Sequence, residues 1–67
     1  MNQVEKVATK SFNHFIEEGD GNLAAARKLF AEWVGENSPK ISTPCRESWK
    51  SLIVAIDWCF RDAGWSP

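Results

Sequence analysis

Residues 43–65, TPCRESWKSLIVAIDWCFRDAGW, decide the fold because their apolar side chains recur at helical spacing. A proline at the first helical position and a glycine after the last predict a helix over residues 44–63. We expect Trp65 to fold back on Phe60 or Cys59 in a Schellman-type closure. At about 100° per residue, one arc of this helix collects the core-facing side chains, with the two cysteines at or near its edge. The arc contains Trp49, Leu52, Ile53, Ile56, Phe60 and Ala63.

Two large apolar residues of the same helix lie off this arc. Val54 and Trp58 are four residues apart, so they are neighbours on the helix surface, pointing away from the core. Charged residues surround them, including Lys50 and Arg61, as in an interface anchor with a polar rim. The alternative is that the helix is central and that the loop holding Ile41 or the N-terminal arm covers Trp58, since a helix apolar all round is usually buried.

Two further helices precede this one. Apolar steps of three and four predict a first helix over residues 4–18 and a second over residues 23–34. No segment alternates with period two between turn signals, so we expect no strands. Three amphipathic helices with short links predict an all-α three-helix bundle that forms one domain over residues 1–67.

Capping signals set the expected ends of these helices. Asn2 is the candidate N-cap of the first helix, and Asp20 or Asn22 that of the second. Gly19 and Gly35 come directly after the two helices, so each is expected to supply a left-handed stop.

Composition excludes several classes of protein. With 67 residues, 43% apolar and 25% charged, the chain has room for one ordinary globular domain. Its net charge of −1 argues against a protein held to nucleic acid mainly by phosphate contacts. No apolar run is long enough to cross a membrane, and MNQVEKVATK at the start of the sequence lacks the apolar segment of a signal peptide. These features and the two cysteines predict a cytoplasmic protein.

No set of residues has the pattern of a catalytic or metal site. Cys45 is the one plausible nucleophile, because a helix start and the adjacent Arg46 both stabilise a thiolate, although a small structural thiol is the alternative. Cys59 lies about 21 Å further along the same helix, too far for a disulfide. His14 is the only histidine, and we interpret it as a surface or edge residue. We therefore expect no enzyme, no metal and no cofactor.

An acidic corner lies at the end of the first helix. Glu17, Glu18 and Asp20 place carboxylates where the helix dipole disfavours them. This cost suggests a surface for a basic partner, and the alternative is a solvated loop edge screened by salt.

The sequence therefore favours a small non-enzymatic domain that binds another protein, as an adaptor, inhibitor or regulatory subunit. The candidate surface comprises the Val54–Trp58 pair with its charged neighbours, and a homodimer through the third helix is one form of it. Such small proteins are common among phages and other mobile elements, which is an analogy only. The alternative is a nucleic-acid-binding regulator that uses Arg46, Lys50 and Arg61. An enzyme with Cys45 as nucleophile comes third.

Overall fold

Three helices form the fold of residues 3–66, which the computed structural model describes. They are α1 (Gln3–Glu18), α2 (Leu23–Asn37) and α3 (Arg46–Asp62), and 3-10 turns lie at Ser38–Lys40 and Thr43–Cys45. The described residues contain no strand, and they pack into a body of 34 × 27 × 20 Å. The expected all-α three-helix bundle is confirmed.

The second helix is longer than expected because Gly35 does not end it. Gly35 lies inside α2, which continues to Asn37. The Asn37 side chain donates a hydrogen bond to the Trp33 carbonyl, and the Ser38 hydroxyl donates one to the Val34 carbonyl. Pro39 comes next, and its missing N–H and fixed ring stop the α-helix. The end of α2 is therefore set by proline and side-chain hydrogen bonds.

The third helix is shorter than expected at both ends. Residues 43–45 form a 3-10 turn, so α3 begins at Arg46 rather than at residue 44. It ends at Asp62, and Ala63 is its exposed C-cap rather than a core residue. Gly64 takes a φ of 103°, and the Trp65 N–H donates to the Phe60 carbonyl at 3.0 Å. The Schellman closure is confirmed.

The turn after α1 departs from the expected glycine stop. Asp20 and Gly21, with φ of 55° and 79°, are left-handed, and Gly19 is not. The Gly21 N–H donates to the Ile16 carbonyl at 2.8 Å, which makes a Schellman turn with an aspartate in the usual glycine position. Gly19 is needed for a different reason: a Cβ there would lie 2.9 Å from the Ala26 backbone nitrogen. Close packing of the two helices, rather than a positive φ, requires this glycine.

One of the two expected N-caps of α2 is correct. The Asn22 side chain accepts a hydrogen bond from the Ala25 backbone N–H at 2.9 Å, so Asn22 and not Asp20 caps the helix. The proposed cap of α1, Asn2, lies outside the described residues.

Aromatic rings join the three helices at the centre of the fold. Phe60 of α3 meets Phe12 of α1 edge-to-face at 4.9 Å and stacks on Phe30 of α2 at 5.5 Å. Ile56 and Phe60 are fully buried, as their positions on the arc predict. The remaining buried residues of the core are Ala8, Phe15, Ala26 and Phe30.

Towards the start of α3, the residues of the core-facing arc are less buried than Ile56 and Phe60. Ile53 and Trp49 are half-buried rather than inside. The Trp49 ring packs on Trp33 at 5.0 Å, and its Nε1 donates to the Ser38 hydroxyl at 3.0 Å. This contact joins the start of α3 to the end of α2.

Candidate protein-binding surface

Four residues of α3 at steps of four form a continuous exposed row, which we call the α3 ridge: Lys50, Val54, Trp58 and Asp62. Side chains four apart are neighbours on a helix, so the row results from the helix alone. Val54 is 56% exposed and Trp58 is 59% exposed, the two highest values among the large hydrophobic side chains of residues 3–66. The expected exposure of Trp58 is confirmed, and neither the Ile41 loop nor the described start of the chain covers it.

A groove of about 720 Å³ lies beside the α3 ridge. Val4 and Glu5 of α1 line it on one side, and Val54, Ala55 and Trp58 of α3 give it an apolar surface. Lys50, Ser51 and Asp62 complete its lining with polar groups. The groove exists because α1 packs mainly against α3, an arrangement that helical spacing along one segment does not predict.

Of the charged residues around Trp58, Arg61 is held in place within α3 and Lys50 is only weakly paired. Arg61 donates through Nε to Asp57 Oδ2 at 2.9 Å, and its guanidinium carbon lies 5.9 Å from the centre of the Trp58 ring. This cation–π contact keeps a positive charge over the face of the indole. Lys50 lies 3.9 Å from Glu47, and both side chains are largely exposed. An exposed pair of this kind is weak, so Lys50 remains available to another carboxylate.

Sequence reasoning missed an ion pair that links α2 to α3. Arg27 of α2 donates from Nη1 to Asp57 Oδ1, and its guanidinium carbon lies 4.0 Å from the centre of the Trp65 ring. Partial burial raises the pKa of Asp57, but hydrogen bonds from Arg27 and Arg61 and the charges of both outweigh it, so the pKa lies below its ordinary value. Arg27 and Asp57 are 30 residues apart, and no local pattern marks such a pair. The ion pair therefore joins α2 to the side of α3 that lies between its buried face and the α3 ridge.

The three cations proposed for nucleic acid do not form a uniformly basic face. Arg61 is paired with Asp57, and Lys50 lies near Glu47. Arg46 is exposed at the first position of α3. Carboxylates therefore offset two of the three positive charges that would contact phosphate.

The acidic corner stands apart from the α3 ridge. Glu17, Glu18 and Asp20 are exposed at the α1–α2 turn, and none of them lines the groove. Glu18 lies 3.9 Å from His14, and both side chains are more than half exposed. The position of Asp20 is explained by the turn, because aspartate tolerates the left-handed conformation better than most residues.

The two cysteines differ in environment, and both are free thiols. Cys45 is exposed in the 3-10 turn just before α3, rather than in the first turn of the helix itself. Burial raises the pKa of Cys59, as does the charge of Asp62, against the opposing effect of a hydrogen bond with Thr9. Cys59 is therefore less readily ionised than an ordinary thiol, and it does not contribute to an exposed reactive site.

Within residues 3–66, no group of three or more histidine, cysteine, aspartate or glutamate side chains is arranged to hold a metal ion. No helix in this range combines the length and the apolar character needed to cross a membrane. Comparisons with protein-family models, with curated proteins and with solved structures each find no match to this chain.

Proposed function

We propose that this chain is a non-enzymatic, cytoplasmic protein-binding domain that docks its partner on the α3 ridge and the adjoining groove. The observation that carries the proposal is the exposure of Trp58, at 59%, next to Val54 at 56%. Both lie on a helix whose opposite face carries the fully buried Ile56 and Phe60, so the exposure is a property of the folded domain.

The energy available at this surface is sufficient for a binding hot spot. A tryptophan buries roughly 150–250 Å² when it is fully covered. With 59% still exposed, a partner would cover roughly 90–150 Å² of Trp58. At about 25 cal/mol per Å², this burial contributes about 2–4 kcal/mol. The apolar patch with charged residues around it has the organisation of an interface centre and rim.

The proposal covers the roles of adaptor, inhibitor and regulatory subunit, which share the same act of binding. Binding of nucleic acid through Arg46, Lys50 and Arg61 is disfavoured by the carboxylates that accompany two of these cations. Retention on heparin or DNA at about 150 mM salt distinguishes the two functions, because phosphate contacts should still register there. We expect no retention.

The test is affinity capture from the native host with three versions of the tagged chain: the parent, Trp58→Ala and Val7→Ala. Val7 is the matched control, since it is an exposed aliphatic residue, at 39%, that does not line the groove. We expect one protein, either a different protein or the untagged chain itself, to be recovered with the parent and with Val7→Ala and to be lost with Trp58→Ala. Equal recovery with all three versions, each melting like the parent, would place the binding surface elsewhere, first at Glu17, Glu18 and Asp20.

A further inference from the structure

The α3 ridge is complementary to itself. In chain order it presents a cation, an aliphatic group, an aromatic ring and an anion: Lys50, Val54, Trp58 and Asp62. A two-fold axis that passes midway between Val54 and Trp58 generates a second row that runs in the opposite direction. Each charged residue of one row then faces a residue of opposite charge in the other, and each apolar residue faces an apolar residue. Reversal exchanges the two charged ends with each other and the two apolar residues with each other.

We infer that the occupant of the α3 ridge is a second copy of this chain, bound antiparallel with Lys50 against Asp62 of the second copy and Val54 against its Trp58. This inference rests on the proposed function and names the partner. The pairing is isologous, as a two-fold dimer requires, because each contact occurs twice. Both copies carry a net charge of only −1, so little overall repulsion opposes their association.

Charge selects the antiparallel direction. A parallel pair in register would place Lys50 on Lys50 and Asp62 on Asp62, and like charges facing each other across an interface are unfavourable. The antiparallel pair replaces both repulsions by attractions.

Charge also favours this register over one centred on Val54. An axis through Val54 itself would place Arg61 against Glu47 of the second copy, but Arg61 is already held by Asp57 at 2.9 Å. Among residues 3–66, the ion-pair partner of Lys50 is the exposed Glu47 at 3.9 Å, so Lys50 can exchange that weak partner for Asp62 of the second copy. The register centred between Val54 and Trp58 therefore leaves the existing ion pairs of Asp57 intact.

The groove gives the second copy's indole a place to enter. In this register the ring lies over Val54, on the side of α3 where Val4 and Ala55 line the groove. Rows of residues four apart that pack into each other cross at about −50°, the commonest arrangement of two helices. A standard interface covers about 800 Å² per partner, about one sixth of the 4764 Å² surface of this chain. The contact must therefore extend from the α3 ridge across the groove to α1.

The first experiment measures self-association of the purified chain by sedimentation equilibrium over a wide range of concentration. We expect a monomer–dimer equilibrium, with the dimer about 30-fold weaker or more for Trp58→Ala, equivalent to about 2 kcal/mol. Val7→Ala should associate like the parent. A parent chain that remains monomeric up to about 1 mM would overturn the inference. If affinity capture then recovers a different protein with the parent but not with Trp58→Ala, the proposed function is retained. If capture of that protein is equal with Trp58→Ala, the proposed function is refuted independently of the dimer.

The second experiment tests the register by exchanging charges between copies. Lys50→Glu alone places two carboxylates against each other at each end of the dimer, and Asp62→Lys alone places two ammonium groups there. We expect each variant to self-associate about 10-fold more weakly than the parent. Mixed together, the two variants should form a heterodimer with both ion pairs restored, and the double variant Lys50→Glu/Asp62→Lys should dimerise like the parent.

Restored association in the mixture is the decisive result. If either substitution weakened association by damaging the fold of its own monomer, adding the other variant would not restore association. A mixture that associates no better than either variant alone would refute this pairing, even if the parent dimerises.

Discussion

Replacing Ile56 with alanine should destabilise the fold by about 3–4 kcal/mol. Ile56 is fully buried, so the lost carbons were entirely removed from water. Three carbons at about 0.8 kcal/mol each account for about 2.4 kcal/mol. The remainder comes from the cavity that is left behind, within the range of about 2–5 kcal/mol for such replacements.

The loss is large relative to the whole domain. At roughly 0.05–0.15 kcal/mol per residue, a chain of 67 residues has a free energy of unfolding of about 3–10 kcal/mol. Each kcal/mol shifts the melting temperature of a domain this size by about 4–8 °C. We therefore expect Ile56→Ala to melt about 12–30 °C lower, or to be unfolded at room temperature.

Thermal and urea unfolding followed by far-ultraviolet circular dichroism measure this effect. Val7→Ala is the control, since Val7 is 39% exposed and its replacement by a better helix former should change stability by less than about 0.5 kcal/mol. If Ile56→Ala and Val7→Ala melt together near the parent, the assigned inner face of α3 is wrong, and so is the outward position of the α3 ridge.

Three further outcomes are expected. Gly35→Ala should stabilise the protein by about 1 kcal/mol in urea unfolding, because a Cβ there meets no atom within 4 Å, whereas Gly19→Ala should destabilise it through the 2.9 Å backbone contact. Cys45 should react with a maleimide faster than Cys59 at pH 7, because Cys45 is exposed and burial raises the pKa of Cys59. Mass spectrometry of the labelled chain measures the two rates, and equal rates would contradict this expectation. The lowered pKa of Asp57 contributes stability above the unfolded-state pKa of about 4, which is lost as pH falls through the folded-state pKa. Unfolding of Asp57→Asn should therefore depend less on pH below about 4 than unfolding of the parent.

Local spacing was sufficient to predict the helices and their faces. The period of apolar residues in 43–65 identifies Ile56 and Phe60 as core and Val54 and Trp58 as surface, because a helix fixes the relative directions of its own side chains. The exposed part of the candidate site was therefore predictable from the sequence.

Glycine alone did not reveal how each helix ends. Gly64 is left-handed as expected, but Gly19 is required by a neighbouring helix, and Gly35 lies within α2. The three residues look alike in the sequence, since their roles depend on which backbone approaches them and on the side chains that come after them. Pro39 and the Ser38 hydrogen bond decide the end of α2.

Contacts between distant segments were decided only by the tertiary structure. Arg27 and Asp57 lie on different helices, so no spacing within one helix relates them. Val4 lines the groove because α1 packs against α3. The sequence by itself determined that Trp58 points away from the core. Packing decided that a groove lies beside it, because the shape of a surface between two helices depends on their relative placement and not on the spacing within either one.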